Sequence, residues 1–301
     1  MNNRFSLRQF RLKYGTHEKC LEAIKQLKYS DLTLCPICKT EQKFYPVTNR
    51  TAYACNSCGY QIYPLAGTIF EKTTTPLDLW FFAMYLMVQT KSGVSAKTLE
   101  RMLGVTYKTA WRMFKQIRLL MAQEPILLDG IVEIDETFVG GKGRNRAKEW
   151  HGGVEEKEIV WGAVKRGGKA YLKHIPDTGK WTLIKQVKEN VSPTAHVMSD
   201  ELMSYKHLYD FGYYNHFTVN HSSGEYARNH LIHNNSVENM WSHLKRGITG
   251  VYRVVSKKYL QAYVDEFAFR YNNRLLGGGM FEVLLKQVAE VKFLNLSNST
   301  S

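Results

Sequence analysis

The chain has 301 residues, 44% hydrophobic and 23% charged, enough apolar material for sizeable buried cores and too much for a disordered or fibrous protein. Its 41 Lys and Arg against 27 Asp and Glu give a net charge of +14 and a pI near 9.4, which points to a polyanionic partner. The longest apolar stretch, Leu77 to Val88, is interrupted by Asp78 and too short for a bilayer, and the opening MNNRFSLRQFRLKYG lacks the apolar core of a signal peptide. A cytoplasmic protein is therefore expected, with nucleic acid rather than membrane as its partner. The charge is uneven: residues 1–125 hold 18 basic and 8 acidic groups, a balance of +10, while residues 126–301 hold 23 and 19, only +4. That asymmetry predicts a front part that holds a polyanion and a back part that uses acidic groups.

Residues 1–31 read as a helical segment, with a helix around Glu18 to Leu27 that makes Cys20 a buried, apolar-like residue. Residues 32–66 carry Cys35-Pro36-Ile37-Cys38 and, sixteen residues later, Cys55-Asn56-Ser57-Cys58. Two such pairs are the spacing of a four-thiolate zinc site. Lys43 to Val47 and Thr51 to Ala54 read as two short strands around an Asn49-Arg50 turn, so a zinc ribbon is expected. Four thiolates fill the tetrahedral sphere, which makes the zinc structural. A disulfide reading needs an oxidising compartment that nothing else in the sequence supports.

Residues 67–125 read as helical. Leu77 to Gln89 is apolar enough for a buried helix after the Thr73-Thr74-Thr75-Pro76 start. Ser95 to Leu103, a Gly104-Val105 turn, and a second helix from Thr106 to about Met121 have helix-turn-helix spacing. The second helix would offer Tyr107, Lys108, Arg112 and Lys115 to DNA while Ala110, Met113 and Phe114 pack inward.

Residues 126–276 open with Ile131 to Gly141, a strand on which Glu133 and Asp135 share a face. A Gly- and Lys-rich loop from Gly140 to Lys157 leads to strands Ile159 to Val164 and Ala170 to Ile175 around the turn Arg166 to Lys169. A helix at Trp181 to Asn190 precedes the strand Ala195 to Ser199, which ends on Asp200, where a loop begins. A helix at Glu201 to Tyr209, a strand at His216 to Val219, a polar loop through His230 to Asn234 and a helix from Asn235 complete the order βββαβαβα. On that last helix Asn235, Glu238 and Lys245 share one face, beside an apolar stripe of Val237, Met240, Trp241 and Leu244. Tyr259, Tyr263, Phe267 and Tyr271 recur every four residues, as core packing does, and Arg253, Lys257 and Lys258 before them suit contact with a DNA backbone. Residues 277–301 start at a triple glycine and read as a helix and tail, frayed over Ser297 to Ser301.

These residues resemble a known family. Asp135, Asp200 sixty-five positions on, Glu238 thirty-eight further and Lys245 seven beyond it are similar to the DDE motif of insertion-sequence transposases. More narrowly, the Cys35 to Cys58 ribbon, Glu133-Ile134-Asp135-Glu136-Thr137, Ser199-Asp200, and the string from His233-Asn234-Asn235-Ser236-Val237-Glu238 to Lys245-Arg246-Gly247 resemble the bacterial ISXO-like zinc-ribbon transposases. Ser256 to Leu260 and Glu266 to Arg274 extend the likeness, which runs from about Leu32 to Asn273. The resemblance implies an α/β fold: an RNase H-like core, with a mixed five-stranded sheet flanked by helices, behind the zinc ribbon and the helix-turn-helix region. It implies two Mg2+ or Mn2+ ions, with Asp135 bridging both, Asp200 on one and Glu238 on the other, and Lys245 at a phosphate oxygen. Some members carry Asn in place of the third acid, which leaves Asn235 as the alternative to Glu238. Cleavage at transposon ends, strand transfer into target DNA, double-stranded terminal inverted repeats as partner, a homodimer or higher assembly on DNA and a nucleoid-associated cytoplasmic location follow from the same likeness. Two other readings stay open: an RNase H-like nuclease or resolvase without strand transfer, and a DNA-binding regulator with an inactive transposase-like domain.

Overall fold

A computed structural model of the chain describes residues 5–41, 43–140, 157–219 and 233–290. It divides into two compact units, one of Met1–Thr90, Ala96–Leu120 and Leu276–Ser301, the other of Lys91–Ser95 and Met121–Leu275. The Gly- and Lys-rich loop, most of the polar loop before Asn234 and the frayed tail fall outside the described residues.

The first unit begins with α1 (Leu7–Tyr14) and α2 (His17–Lys28). Ser6 and Gln9 form a reciprocal capping box at α1, and the Thr16 hydroxyl accepts from Lys19 N–H at α2. Phe10 and Tyr14 of α1 pack among Phe81 and Tyr85 of α3 (Leu77–Gln89) and Phe281 of α9 (Met280–Glu290). The C-terminal helix, expected as part of a separate segment, thus belongs to the first unit, where Glu282 also accepts from Lys13 Nζ at 2.7 Å. Cys20 is fully buried, and burial pushes its thiol well up, as suits an inert core residue. The ribbon strands β1 (Phe44–Pro46) and β2 (Tyr53–Cys55) pair antiparallel around a turn with Asn49 at φ +59°. A third strand, β3 (Gln61–Ile62), adds to β2 and was not expected; two residues are too few for a sequence pattern. Helices α4 (Ala96–Leu103) and α5 (Tyr107–Leu119) flank Gly104 at φ +65°, a left-handed turn that glycine adopts without strain. Thr106 caps α5, and Ala110, Met113 and Phe114 are buried, while Tyr107, Lys108, Arg112 and Lys115 are exposed.

The second unit holds a sheet of β4 (Ile131–Val139), β5 (Glu158–Lys165), β6 (Ala170–Ile175), β7 (His196–Ser199) and β8 (His216–Thr218). Its order is β6-β5-β4-β7-β8: the first three strands are antiparallel, and β7 and β8 continue parallel to β4. This is the mixed five-stranded α/β core expected of the RNase H-like class. Helix α6 (Lys180–Asn190) covers one face through Leu183, Ile184 and Val187, against Val132, Ile134 and Val197. The other face carries α7 (Asn235–Gly247) and α8 (Lys257–Asn272), with Val237, Met240, Trp241, Leu244, Leu260, Val264 and Phe267 against Val160, Val164 and Leu172. Tyr263 and Phe267 are buried and Tyr259 and Tyr271 partly so, as core packing requires. The expected helix at Glu201 to Tyr209 is instead 3₁₀ over Met203–Phe211. Its Tyr205 and Leu208 anchors are three residues apart, which matches three residues per turn.

Candidate active site

The four ribbon cysteines lie with their sulfurs within 4.8 Å of one another, Cys35 and Cys58 Sγ at 3.6 Å and Cys38 and Cys55 Sγ at 3.8 Å. A tetrahedral zinc with Zn–S of about 2.3 Å separates its ligands by about 3.8 Å, whereas a disulfide needs about 2.05 Å. The donors therefore fit a four-thiolate zinc and do not fit a disulfide. Each knuckle ends in a left-handed residue, Lys39 at φ +58° and Gly59 at φ +74°, whose N–H returns to the carbonyl of Cys35 or Cys55. The hydroxyl of Thr40, 3.1 Å from Cys38 Sγ, helps draw that thiol down to about 6, toward the thiolate a metal needs.

In the second unit, the pairing of β4 with β7 explains how two distant acids meet. Ile131, Val132 and Glu133 pair with His196, Val197 and Met198, a constant offset of sixty-five residues. Continued past the end of β7, the same offset would set Asp200 level with Asp135. Carboxylate oxygens of Asp135, Glu136 and Asp200 do lie within 4.8 Å of one another. Sequence alternation sets Glu136 on the opposite face from Asp135, so this third member was missed. Its longer side chain reaches the pair where β7 has ended, and Tyr205 O–H donates to its Oε2 at 2.6 Å.

Burial, together with the Asp200 and Glu238 carboxylates and against the Trp241 N–H bond, pushes the Asp135 carboxyl up to about 6. Burial likewise pushes Glu136 up to about 7, aided by Asp200 and Asp135 and opposed by the Tyr205 hydroxyl. Two carboxyls pushed up in this way, with the Asp200 carboxylate beside them, fit a divalent cation, whose charge would reverse both effects. At the neighbouring turn, Asp200 Oδ1 accepts from Leu202 N–H at 3.1 Å. The buried Ser199 hydroxyl donates to Asp200 O and meets His216 Nε2, both at 2.8 Å. With its amide turned to satisfy both neighbours, buried Asn234 accepts from Asp200 N–H at 3.2 Å and donates to His233 O at 3.1 Å.

Helix α7 is pinned over this site at two points. At its start, fully buried Glu133 accepts from Ser236 N–H at 2.6 Å, Val237 N–H at 3.1 Å and Ser236 O–H at 3.1 Å, a carboxylate cap at the positive end of the helix. Arg166 Nε donates to the same carboxylate at 2.6 Å and a second guanidinium N–H to His233 O at 2.8 Å, so the β5–β6 turn braces the cap. Little more than one turn on, Trp241 Nε1–H donates to Asp135 Oδ2 at 2.8 Å. Glu238 stands one turn before Trp241 and Lys245 one turn after it, both exposed. Asn235, the alternative third ligand, is exposed in the first turn. Glu133 and Asp135 thus share a strand face as expected but do different work: one caps a helix, the other stands in the acidic cluster. Of the basic residues expected at DNA, Arg253 is exposed at φ +67° and Lys258 is exposed, whereas Lys257 Nζ is 3.2 Å from Glu158 Oε1.

Residues 127–272 match the ISXO2-like transposase domain, and residues 15–61 match a transposase zinc-ribbon domain. A protein of Halobacterium salinarum named as an uncharacterized protein in transposable element ISH50 is 26% identical over 275 residues, spanning 85% of this chain and 91% of that one. No solved structure matches the chain. The chain thus carries, in this order, a transposase zinc-ribbon domain and an ISXO2-like transposase domain.

Proposed function

We propose that the protein cleaves DNA at the ends of an insertion sequence and joins those ends to target DNA. The observation that carries this reading is the register that levels Asp200 with Asp135, because phosphodiester chemistry of this kind needs carboxylates convergent on shared cations. Asp135, Asp200 and Glu238 would hold two Mg2+ or Mn2+ ions; Glu136 is a further acid within reach, and Asn235 remains the rival to Glu238. When bound, the ions supply a water or hydroxyl nucleophile of lowered pKa and neutralise the phosphate. Lys245 would then hold a phosphate oxygen one helical turn beyond the Trp241 anchor. Zinc would be confined to the ribbon, where four thiolates leave no position for substrate.

The exposed row Tyr107, Lys108, Arg112 and Lys115 on α5, with Arg253 and Lys258 in the second unit, would hold double-stranded DNA: the terminal inverted repeats and the target. Joining two ends calls for at least two protomers on DNA. Among the described residues no helix is long and apolar enough to cross a membrane, and a cytoplasmic site at the nucleoid suits a DNA substrate. The test is a strand-transfer assay with paired terminal-repeat duplexes in Mg2+ and Mn2+. Joined product from the wild type, with a loss of roughly 10³-fold or more in Asp135→Ala, or several kcal/mol of transition-state stabilisation, is expected. Hydrolysis without joining would instead favour the nuclease reading, and cleavage that survives Asp135→Ala would overturn the assigned site.

A further inference from the structure

Asp135 on β4 and Gly162 on β5 are direct partners in the antiparallel register. Residues facing one another in this way send their side chains to the same face, with Cβ atoms roughly 4.5–5.5 Å apart. At Gly162 there is no side chain, and the indole of Trp241 fills the space: a Cβ there would meet Trp241 Cη2 at 2.5 Å, Leu172 Cδ2 at 2.8 Å and Trp241 Cζ2 at 2.9 Å. The indole is rigid and only 5% exposed, so it could not swing aside at small cost. Lying over the bare strand, it puts Nε1–H 2.8 Å from Asp135 Oδ2. Packing alone does not demand that bond. Neighbouring Trp161, fully buried against the opposite face, leaves its own Nε1–H without a partner among the described residues.

We propose that Gly162 and Trp241 are positioning residues, forming a seat that orients the Asp135 carboxylate to receive a divalent cation together with Asp200. The N–H takes up one lone pair of Oδ2 and restrains the carboxylate, leaving its other lone pairs for a cation shared with Asp200. Partners of this kind around a ligating carboxylate typically contribute 10- to 100-fold in metal affinity. The inference rests on the reading of Asp135 and Asp200 as the cation-holding pair.

The test uses the full-length, zinc-loaded chain labelled with ¹⁵N-indole, titrated with Mg2+ by NMR and with Mn2+ by electron paramagnetic resonance. The Trp241 indole resonance, identified by its loss in Trp241→Phe, is expected to move on Mg2+ addition in the wild type, and in Gly162→Ala to start elsewhere and barely move. Mn2+ affinity should fall about tenfold or more in both variants. Trp241→Phe keeps most of the ring volume, so it carries the test if Gly162→Ala fails to fold. Wild-type Mn2+ affinity in a folded Trp241→Phe would overturn the seat. Wild-type affinity in Asp135→Asn would overturn the underlying reading of the site, whatever the Trp241 variants do.

Discussion

The two groups of metal donors are built on opposite plans. The thiolates come from two knuckles, each closed within five residues by its own backbone bonds, and the sulfurs already stand at zinc-ligand spacing. The carboxylates come from strands sixty-five residues apart and are held by side chains still further off, Tyr205 on Glu136 and Trp241 on Asp135. In the first centre the metal closes a short segment with little core of its own, so binding is folding. In the second the sheet and helices hold the acids together regardless, and the strain is electrostatic. A cation there would be exchangeable, as the proposed action on DNA requires.

The sharpest way to break the contrast is to remove one donor from the first centre. Cys35→Ser should release the zinc and unfold the ribbon, since apparent binding energies of such sites run to about 10–16 kcal/mol. Zinc content by atomic absorption, with amide exchange over residues 35–62, checks this, and a ribbon still protected without zinc would contradict it.

In the second centre, Glu133→Gln leaves the acids themselves untouched but removes the charge that Arg166 and the start of α7 share. A loss of about 3 kcal/mol in urea unfolding is expected for breaking a buried pair. A loss under roughly 1 kcal/mol would mean that the cap does not hold α7.

A pH series distinguishes the centres further. Asp135 at about 6 and Glu136 at about 7 lie above their unfolded values near 4. The folded chain therefore holds more protons than the unfolded one between about pH 4 and 7, and stability falls as pH rises through that window. For Asp135 alone the shift of about two units corresponds to about 3 kcal/mol. The melting temperature of the zinc-loaded chain without Mg2+ should drop from pH 5 to pH 8, Mg2+ should restore more of it at pH 8 than at pH 5, and Asp135→Asn should flatten the profile. A flat wild-type profile would show that the acids are not strained.

The smallest effect compares the two knuckles. Lys39 occupies a left-handed conformation that Gly59 meets without a Cβ, so Lys39→Gly should stabilise the zinc-loaded ribbon by roughly 1 kcal/mol or less and Gly59→Ala should destabilise it by a similar amount. Calorimetry of the two variants reads both signs at once.

How much could be read from the sequence follows the same divide. The cysteine spacing is local, and so were the ribbon hairpin, the buried helix Leu77–Gln89 and the inward residues of α5. The succession of strands and helices along the core was also legible, because alternating apolar runs mark strands with one buried face, whereas the order β6-β5-β4-β7-β8 within the sheet was not. Glu136 was not, because its place in the cluster depends on where β7 stops, and strand length is set by pairing rather than by β4 itself. The cap that Glu133 gives to Ser236, a hundred residues on, left no sequence signal either. Nor did the return of α9 to the first unit, which rests on Phe281 fitting among rings from α1 and α3.

The sixty-five-residue interval between the acids is a count along the chain, but hydrogen bonds between two strands are what set their alignment. Residues added or removed in the connections would change the count and leave Asp200 beside Asp135, whereas slipping β7 by one residue would turn its side chains to the wrong face without altering the count at all. Homologous sites are thus better sought by where a carboxylate stands on its strand than by how far it lies from the next one.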